Sequence, residues 1–399
     1  MRPLPEWAEW CPTPDVPPWT VGVEEEVMLL DPDTWALAPR IDDVLPALKP
    51  ELVGHVTAET HGSALELATG IHATAGSAAA ELGDLRARLT EDLATLGLVA
   101  GVAGTHPTAV WSDTVVSSGA RYQDIYGSMR ELARREPTFA LHVHVAVPEP
   151  EMAIRALTRL RAHLPVLLAI SANSPFWQGR DTGLASARTP LFQAFPRVGI
   201  PRAFRDYSDY AEAIDLLLRC EAFPEPTFLW WDVRLQPRFG TIEVRVMDAQ
   251  IRIPDTAALV ALVQCLVCLE AMDDFAPSAL VHSPEVLDEN RFLAARDGVG
   301  AELIDPVEGC RRPVLDQLDE LLGACAPHAA ALQCEAELAS VTELAADPGA
   351  ERQRVTALGP EKLEGLVRAL AGAFSSRGRE PALSFSTSEQ AVLFRPHTA

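Results

Sequence analysis

Apolar and acidic residues alternate along the stretch Val21–Leu30, which prolines bound on both sides. Alternate side chains of a β-strand point to opposite faces of a sheet, so this stretch predicts a strand with one apolar and one acidic face. Glu24 and Glu26 project together from the acidic face, roughly 7 Å apart, where their charges repel unless a cation lies between them. Glu25 falls on the apolar face, and we expect it near a rim or paired with an arginine.

Two later stretches repeat this design. Ala140–Val147 places His142 and His144 on one face, opposite leucine and valine. In Thr241–Asp248 a glutamate and an arginine stand opposite isoleucine and valine. An antiparallel sheet commonly has one solvated face, but that face normally carries mixed polar residues. Here the polar face carries acids, imidazoles and an arginine, and this pattern predicts a functional site on that face.

The stretch Leu52–Ile71 predicts two further short strands around a turn at residues 60–63. Glu59 and Glu66 flank that turn. Glu66 shares its strand face with two alanines, while the neighbouring leucines point away. Small neighbours leave room around a carboxylate, as a ligand position requires.

Trp230–Leu235 and Thr241–Asp248 predict a β-hairpin. A one-residue change of register moves every side chain of a strand to the other face. Asp232 or Arg234 therefore lies beside Glu243 in one register and away from it in the other.

Apolar residues at helical spacing predict helices at Ser77–Leu96, Glu151–Ser171 and Ser208–Cys220, and a helical pattern throughout 255–374. Together these elements predict an α+β fold: an antiparallel sheet with helices on its apolar, outer face and a helical C-terminal third. We expect a single domain over 19–375, an extended lead-in over 1–18 and a flexible tail over 376–399.

The chain is strongly acidic, with a formal net charge of −23 over 399 residues. Phosphate backbones and anionic membranes need a basic surface, so nucleic acid and membrane are not expected partners. Lys49 and Lys362 are the only lysines, and neither belongs to a phosphate-binding loop of the G-x-x-x-x-G-K-[ST] type. If the protein handles phosphate, metal ions and arginines must do it.

The seven cysteines are an odd number without the spacing of a disulfide framework. No signal-peptide pattern precedes them, so we expect reduced thiols and a cytoplasmic protein. Cys265 and Cys268 lie in an apolar helical run, where burial in the core is favoured over a redox or zinc role. We also expect that run to be too short and too interrupted to span a bilayer.

The candidate metal ligands are rich in oxygen, with one imidazole and no thiolate. Such a set suits Mg²⁺, with Mn²⁺ as an alternative, far better than zinc or copper. So many carboxylates exceed the needs of one ion, which suggests two or three. The candidates are Glu24, Glu26, Glu59, Glu66, His142 and Glu243.

Several long motifs occur in the order known from one family. They are G-V-E-E-E, T-A-E-T-H-G-S-A-L-E-L-A-T, G-T-H-P, L-H-V-H-V, S-P-F-W-Q-G-R-D-T-G-L-A-S-A-R and F-G-T-I-E-V-R-V-M-D. With these motifs the chain resembles the type 2 glutamate–cysteine ligases, also called carboxylate–amine ligases, from about residue 20 to 375. The resemblance implies a fold related to the catalytic domain of glutamine synthetase, in which a curved antiparallel sheet forms a funnel for Mg²⁺ and ATP.

The resemblance also implies roles for single residues. It makes the six candidate ligands metal ligands, and it makes Glu243 and Arg245 catalytic, with Arg245 contacting phosphate. Arg234 is a second candidate for the phosphates of ATP. The candidates for substrate binding are Arg188, His144, Thr105 and His106. The loop 173–188, rich in Gly, Ser and Arg, is either a substrate loop or a plain connection.

The implied reaction joins two small molecules. A carboxylate is a poor electrophile, and ATP can activate it by forming an acyl phosphate, which an amine then attacks. Metal ions between the phosphates neutralise the charge that repels the attacking carboxylate. The resemblance favours the γ-carboxylate of L-glutamate and the amine of L-cysteine, with a homodimer as a further expectation.

Four other readings stay open. The same ligase chemistry could serve a different acid or amine. The pair His142-x-His144 is also found in metal-dependent amide hydrolases, although such a pair lies on an early strand there. A phosphotransferase of similar fold would transfer phosphate to a guanidine and stop, and a non-catalytic binding protein would do neither.

Overall fold

The computed structural model describes residues 4–135, 137–359 and 361–375. The predicted tail at 376–399 and the first three residues of the lead-in lie outside them. The strands are β1 Val21–Leu30, β2 Val56–Ala58, β3 Ala64–Ala68, β4 Val99–Gly101, β5 Ala140–Ala146, β6 Phe176–Trp177, β7 Arg180–Asp181, β8 Val198–Gly199, β9 Trp230–Trp231, β10 Val233–Gln236, β11 Thr241–Asp248, β12 Glu302–Asp305 and β13 Cys310–Pro313.

Seven strands form the main sheet, in the order β10-β11-β5-β1-β3-β2, with β4 pairing the end of β1. Every neighbouring pair in this sheet is antiparallel. The three strands with polar faces, β1, β5 and β11, are therefore adjacent at its centre. The predicted antiparallel sheet is confirmed.

The helices are α1 Ile41–Ala47, α2 Ala75–Thr95, α3 Ala120–Met129, α4 Pro150–Leu160, α5 Leu164–Ser171, α6 Arg188–Phe192, α7 Tyr207–Arg219, α8 Ile253–Met272, α9 Ser278–Val281, α10 Pro284–Asp297, α11 Val314–Leu332, α12 Glu335–Ala339, α13 Val341–Ala346, α14 Gly349–Ala357 and α15 Lys362–Ser375. They complete the α+β fold that the sequence predicts, including its largely helical C-terminal third.

The apolar face of β1 packs into the core, as the alternation predicts. Val21, Val23 and Val27 are almost completely buried. Glu25 lies on this buried face and pairs with Arg86 of α2, whose Nε is 2.7 Å from Glu25 Oε2. The arginine partner expected for Glu25 is thus found, in the core rather than at a rim.

Helix α8 lies at the centre of the helical layer, where α2, α4, α11 and α12 surround it. This position explains why its sequence is apolar nearly all round. Cys265 and Cys268 are buried in it, as expected, and Cys265 Sγ lies 3.7 Å from Cys334 Sγ. At 20 residues α8 is long and apolar enough to cross a membrane, so the expectation that the run is too short is wrong, but nearly all of it is buried inside the molecule.

Some predicted boundaries are wrong. The stretch Glu151–Ser171 forms two helices, α4 and α5, because Pro165 in the first turn of α5 has no N–H to donate and its ring clashes with the carbonyl four residues before it.

The C-terminal third is not helical throughout, since a turn ending at Gly309 joins β12 and β13 into a hairpin. Helix α2 begins at Ala75 rather than at Ser77, and its N-cap Thr74 accepts a hydrogen bond from the Ser77 N–H at 3.3 Å.

The predicted strand Trp230–Leu235 is also interrupted. Trp230–Trp231 pairs in parallel with β8, and only Val233–Gln236 pairs with β11. The hairpin β10–β11 is confirmed, in the register that sets Arg234 opposite Glu243.

Candidate active site

Strand β1 carries two acids on the polar face of the sheet, and each of them lies beside a residue of a different neighbouring strand. Glu24 stands opposite His142 of β5, and Glu26 stands opposite Glu66 of β3. On the far side of β5, Glu243 of β11 stands opposite His144. Residues that oppose each other in a sheet project from the same face, so the predicted acids and imidazoles meet there.

These side chains form two sets of potential metal ligands that share His142. Glu24, His142 and Glu243 make the first set, and Glu26, Glu66 and His142 make the second. Within each set the ligand atoms lie within 4.8 Å of one another. Five of the six predicted ligands thus come together.

The imidazole of His142 points a different nitrogen at each neighbour on β1. Its Nδ1 is 3.4 Å from Glu24 Oε2, and its Nε2 is 3.7 Å from Glu26 Oε1. Nε2 is buried and has no hydrogen-bond partner among the described residues. A buried imidazole nitrogen that faces carboxylates without a partner fits a metal ligand, and the oxygen-rich surroundings fit Mg²⁺ or Mn²⁺.

Glu59, the sixth predicted ligand, lies in the turn after β2 and belongs to neither set. Its Oε2 accepts a hydrogen bond from the Thr60 N–H at 2.9 Å. Its charge nevertheless acts on the second set, where it raises the pKa of both Glu26 and Glu66. Glu59 therefore stands beside the second set rather than within it.

The acids of the second set resist ionisation together. Burial, followed by the charge of Glu59, raises the pKa of Glu26 to about 7. Burial and then the charge of Glu24 raise the pKa of Glu66 well above its ordinary value, and burial raises that of Glu59. A bound divalent cation would remove the repulsion.

The acids of the first set are held ionised instead. Burial would raise the pKa of Glu24, but the charge of His144 and hydrogen bonds with both histidines place it far below its ordinary value. Burial, followed by the charge of Arg245, lowers the pKa of His142 to about 4, so its imidazole is neutral and can ligate at neutral pH.

Arg234 is fully engaged by Glu243. Its Nε lies 3.0 Å from Glu243 Oε2, and its Nη2 lies 3.0 Å from Oε1. The Nη1 of Arg234 donates to the carbonyls of Thr227 and Leu229 at 2.8 and 2.9 Å. With these donors in use, Arg234 holds Glu243 in position.

Arg245 lies in a β-bulge of β11. The pairing with β5 shifts between Val244 and Met247, so β11 has one extra residue opposite His142. The Nη1 of Arg245 donates to Glu243 Oε1, while its Nε is buried without a partner. Burial would lower the pKa of Arg245, but the charge of Glu243 raises it, so the guanidinium beside Glu243 is charged.

Two of the four predicted substrate residues are near the sets. The Nε2 of His144 lies 3.3 Å from Glu24 Oε1, and its Nδ1 is 3.1 Å from Thr241 Oγ1. Arg188 lies behind the bulge, where it donates to the carbonyls of Val246 and Arg245 at 3.2 and 3.3 Å. Its charge lowers the pKa of Glu26, so it acts on the second set.

The other two, Thr105 and His106, are used by the fold. Thr105 Oγ1 donates to the carbonyl of Phe176 at 2.8 Å. His106 Nε2 bonds the carbonyl of Trp35 at 3.0 Å, while its Nδ1 accepts the N–H groups of the residues two and three positions on. With both ring nitrogens occupied, His106 shapes the G-T-H-P turn, and the structure does not bring it to the acids.

Two residues near the site were not predicted from the sequence. The segment before α3 runs along the turn after β2, where the Ser117 N–H donates to the Thr60 carbonyl at 2.9 Å. This contact places Arg121 and Tyr122, at the start of α3, beside Glu59. The charge of Arg121 lowers the pKa of Glu59, and the Tyr122 hydroxyl donates to the carbonyl of Ala58. An arginine followed by a tyrosine is the one signal the sequence offers, and it is weak.

The two histidines do not belong to one ligand set among the described residues. Among the described residues, both ligand sets include His142 and neither includes His144. The reading as an amide hydrolase rested on that pair, and the arrangement gives it no support.

Comparisons with known proteins match most of the chain to one family. The profile of glutamate-cysteine ligase family 2 matches residues 20–369. A protein of Rubrobacter xylanophilus named "Putative glutamate–cysteine ligase 2-1" is 41% identical over 337 residues, which are 84% of this chain and 89% of that protein. A protein of a Jannaschia species with the name "Putative glutamate–cysteine ligase 2" is 34% identical over 337 residues, again 84% of this chain and 89% of that one.

Solved structures show the same fold at low sequence identity. A glutamate–cysteine ligase from Francisella tularensis, solved in complex with AMP, superposes with a TM-score of 0.65 over 92% of this chain and 90% of its own, at 13% identity. A bifunctional glutathione synthetase from Pasteurella multocida gives a TM-score of 0.61 over 90% of this chain and 51% of its own, at 14% identity.

Proposed function

Because the chain belongs to glutamate–cysteine ligase family 2, and is therefore an ATP-dependent ligase that forms carbon–nitrogen bonds, we propose that it joins the γ-carboxylate of L-glutamate to the amine of L-cysteine through an acyl phosphate. The products are a γ-glutamyl dipeptide, ADP and phosphate. One observation carries the proposal: two sets of acidic ligands share one neutral imidazole beside a charged arginine. A phosphoryl transfer between two anions needs metal ions and a cationic side chain to neutralise the charge, and this arrangement can supply both.

Mg²⁺ is the proposed metal, with Mn²⁺ as an alternative. The ligand sets around His142 would hold it, and it would neutralise the phosphate charge that repels an attacking carboxylate. The difference in ionisation between the two ligand sets suggests that they have different roles. The first set, already ionised, lies on the side of Arg245, whereas the second set, with its raised pKa values, lies on the side of Glu59.

Arg245 is the proposed catalytic arginine. An oxygen of the acid attacks the γ-phosphorus, and the bond from that phosphorus to the bridging oxygen of ADP breaks. The guanidinium would stabilise the charge on the transferring phosphoryl oxygens, a role worth on the order of 3–5 kcal/mol. Glu243 holds the guanidinium in position, and Arg234 in turn holds Glu243. The amine nitrogen then attacks the acyl carbon, and phosphate leaves.

The acid substrate needs a cation for the carboxylate that does not react. Arg121 is half exposed and lies on the Glu59 side of the site, where its Nη1 pairs with Glu225 Oε1 and its Nη2 donates to Thr227 Oγ1 at 3.0 Å. Arg188 is buried and engaged by backbone carbonyls. We therefore propose Arg121 as the residue that binds the substrate carboxylate, with Arg188 supporting the bulge.

The extent of the catalytic unit, its cellular location and its oligomeric state are also proposed. We infer that residues 19–375 act as one catalytic unit in the cytoplasm, and that the protein works as a homodimer on small molecules. No part of the site distinguishes cysteine from another small amine, since a pocket for one methylene-sized group discriminates by only about 1–3 kcal/mol. Related amines are therefore expected to react.

Phosphate release from ATP and glutamate across a panel of amines, with product mass measured, tests the proposal. Turnover that depends on both glutamate and cysteine supports the stated substrates. Faster turnover with another amine or acid keeps the chemistry and replaces the substrate. Product formation without nucleotide would instead indicate hydrolysis run in reverse and would contradict the ligase mechanism.

A further inference from the structure

Asp248 is the last residue of β11, and it is completely buried. The Asn173 N–H and the Ser174 hydroxyl donate to its Oδ2 at 2.8 and 2.6 Å, and the Ser186 hydroxyl donates to its Oδ1 at 3.0 Å. These three donors lie at the two ends of the loop 173–188. Asp248 therefore closes this loop at its base and fixes it to the end of β11.

Gly104, which begins the G-T-H-P motif, packs against the same carboxylate. A Cβ built on Gly104 would lie 2.6 Å from Asp248 Cγ and 2.9 Å from Ser174 Cβ, closer than side chains approach each other in folded proteins. The Gly104 N–H also donates to the Asn173 carbonyl at 3.0 Å. Space therefore requires glycine at this position, and both motifs meet β11 at Asp248.

Asp248 is also a charge partner of Arg188, at the end of the loop. Arg188 is 5% exposed, and its Nη1 lies 3.7 Å from Asp248 Oδ1. Its backbone N–H donates to Ser174 Oγ at 3.1 Å, so the hydroxyl that binds Asp248 also holds the backbone of Arg188. Burial lowers the pKa of Arg188, and the charge of Asp248 opposes that effect. Because a buried cation without a partner is costly, Asp248 keeps Arg188 in its place.

Arg188 in turn holds the bulge of β11. Its Nη1 and Nη2 donate to the carbonyls of Val246 and Arg245 at 3.2 and 3.3 Å. A bulge disrupts the hydrogen bonds of the strand ladder locally, and the two donors fix carbonyls within it. The Arg245 side chain leaves the backbone at this point, so the position of its guanidinium depends on the contacts of Arg188.

We infer that Asp248 is a positioning residue that acts through Arg188 on the guanidinium of Arg245. Its oxygens are occupied and it is completely buried, so it does not contact a substrate itself. This inference rests on the proposed function, which makes Arg245 the catalytic arginine. It also makes the loop 173–188 more than a plain connection, because the two ends of the loop hold Asp248.

The first test removes the charge of Asp248 and keeps its shape. In Asp248→Asn we expect the kcat for phosphate release, measured with the acid and amine that wild type uses best, to fall at least about tenfold. The KM for ATP should stay within about twofold of wild type, because misplacing a group that acts in the transition state lowers the rate more than it weakens ground-state binding.

Glu270→Gln is the matched control. Glu270 is as completely buried as Asp248 and pairs with Arg159 Nε at 2.7 Å, but it lies on α8 in the helical layer. This control should lose stability in thermal melts and keep the wild-type kcat. A wild-type kcat in Asp248→Asn would overturn the inference, and so would an equal fall of kcat in Glu270→Gln.

A double variant tests the route through Arg188. Arg188→Met removes the charge and the donors but keeps an apolar contact for the Phe192 ring, over which the guanidinium lies at 5.7 Å. If Asp248 acts through Arg188, the kcat of Asp248→Asn/Arg188→Met should lie within about twofold of that of Arg188→Met alone. Losses that multiply in the double variant would contradict the inference.

Ser174→Ala is a milder variant for the case that Asp248→Asn melts below the assay temperature. It keeps the charge of Asp248 and removes the shortest contact of the carboxylate. We expect its kcat to fall at least about threefold with an unchanged KM for ATP. A wild-type kcat in Ser174→Ala would count against the inference in the same way.

Hydrogen exchange tests the positioning without the ligase reaction. In Asp248→Asn or Ser174→Ala the amides of 173–188 and 244–248 should exchange faster than in wild type, while those of 253–272 should not change. Exchange equal to wild type would overturn the inference. Faster exchange, together with a wild-type protein that releases no phosphate with any acid and amine, would refute the proposed ligase activity and leave Asp248 as the anchor of the bulge.

Discussion

Arg234 faces Glu243 across the β10–β11 hairpin and contacts both oxygens of its carboxylate. Arg245 reaches the same carboxylate from the bulge of β11, with its Nε left free. Two arginines therefore share one acid, and of the two only Arg245 keeps a buried N–H without a partner among the described residues.

This difference predicts that the two conservative substitutions affect different properties, the rate of catalysis for Arg245→Lys and the stability of the fold for Arg234→Lys. Arg245→Lys keeps the charge but loses the planar fork, so we expect kcat to fall at least about 100-fold with a smaller change in the KM for ATP. Arg234→Lys should mainly lower the free energy of unfolding, by about 2 kcal/mol, because a buried pair loses its two-point contact. Steady-state kinetics and urea denaturation of both variants measure this. A near-wild-type rate in Arg245→Lys would give the phosphate role to another residue.

Glu26 should cost stability when no metal is bound. The raised pKa of its carboxyl, about 7 in the fold, means that the fold disfavours the ionised form. That cost is absent at low pH, begins above the pKa of the unfolded chain and is complete once the pH exceeds the folded pKa. Glu26→Gln should thus stabilise the protein in EDTA at pH 8, by about 1–3 kcal/mol, and have little effect at pH 5.

The same variant should lose its response to metal. Wild type gains stability from Mg²⁺ and ATP by mass action, and the variant should gain far less and turn over no ATP. Thermal melts with and without Mg²⁺ and ATP measure both effects, and Glu302→Gln, which changes an exposed acid outside the site, is the control. An unchanged ligand-induced shift in Glu26→Gln would remove Glu26 from the metal site.

His106 should act on stability and its pH dependence. Burial lowers its pKa to about 4, so the folded state keeps it neutral while the unfolded state takes up a proton below about pH 6.5. Its contribution to stability is complete above that unfolded pKa and is lost as the pH falls toward the folded pKa, which costs about 2 kcal/mol by pH 5. In His106→Gln the fall in the free energy of unfolding from pH 7.5 to 5 should shrink by that amount.

Kinetics of the same variant separate the two roles considered for His106. At pH 7.5 the KM values for acid and amine should match those of wild type, and His282→Gln, at an exposed position, is the control for both measurements. A selective rise in one KM with an unchanged pH dependence of stability would restore the substrate role.

Arg121 should matter to one substrate only. If its guanidinium binds the carboxylate of the acid, Arg121→Gln should raise the KM for the acid by at least about tenfold and leave the KM for ATP within about twofold, since a charged hydrogen bond is worth about 1.5–3 kcal/mol. Arg134→Gln is a matched control, because both side chains are 43% exposed and each pairs with a glutamate. Equal KM values for the acid in the two variants would contradict this assignment.

Much of the site follows from the sequence because strand periodicity is local. The two-residue alternation around Glu24, Glu26 and His142 decides which side chains share a face, whatever the partner strand. Which strands lie side by side is not local, and the sequence alone left both registers of the β10–β11 hairpin open for Arg234.

The features that the sequence missed depend on distant contacts. The bulge that positions Arg245 exists only relative to β5, and Arg121 reaches the site only because α3 packs beside the turn after β2. Conversely, Thr105 and His106 look like site residues in a Gly-Thr-His-Pro motif, but backbone carbonyls far along the chain occupy their polar atoms. Local sequence patterns predict which side chains share a strand face, and tertiary packing decides which residues those side chains contact.

The most direct test of the central claim follows an oxygen atom. If the acid is activated as an acyl phosphate, glutamate labelled with ¹⁸O in its γ-carboxylate must pass one labelled oxygen to each phosphate released during turnover with ATP and cysteine. Mass spectrometry of the phosphate measures this, with Arg245→Lys as the slow control. We predict one ¹⁸O per phosphate from the wild-type enzyme. Amide product formed together with unlabelled phosphate would contradict the mechanism.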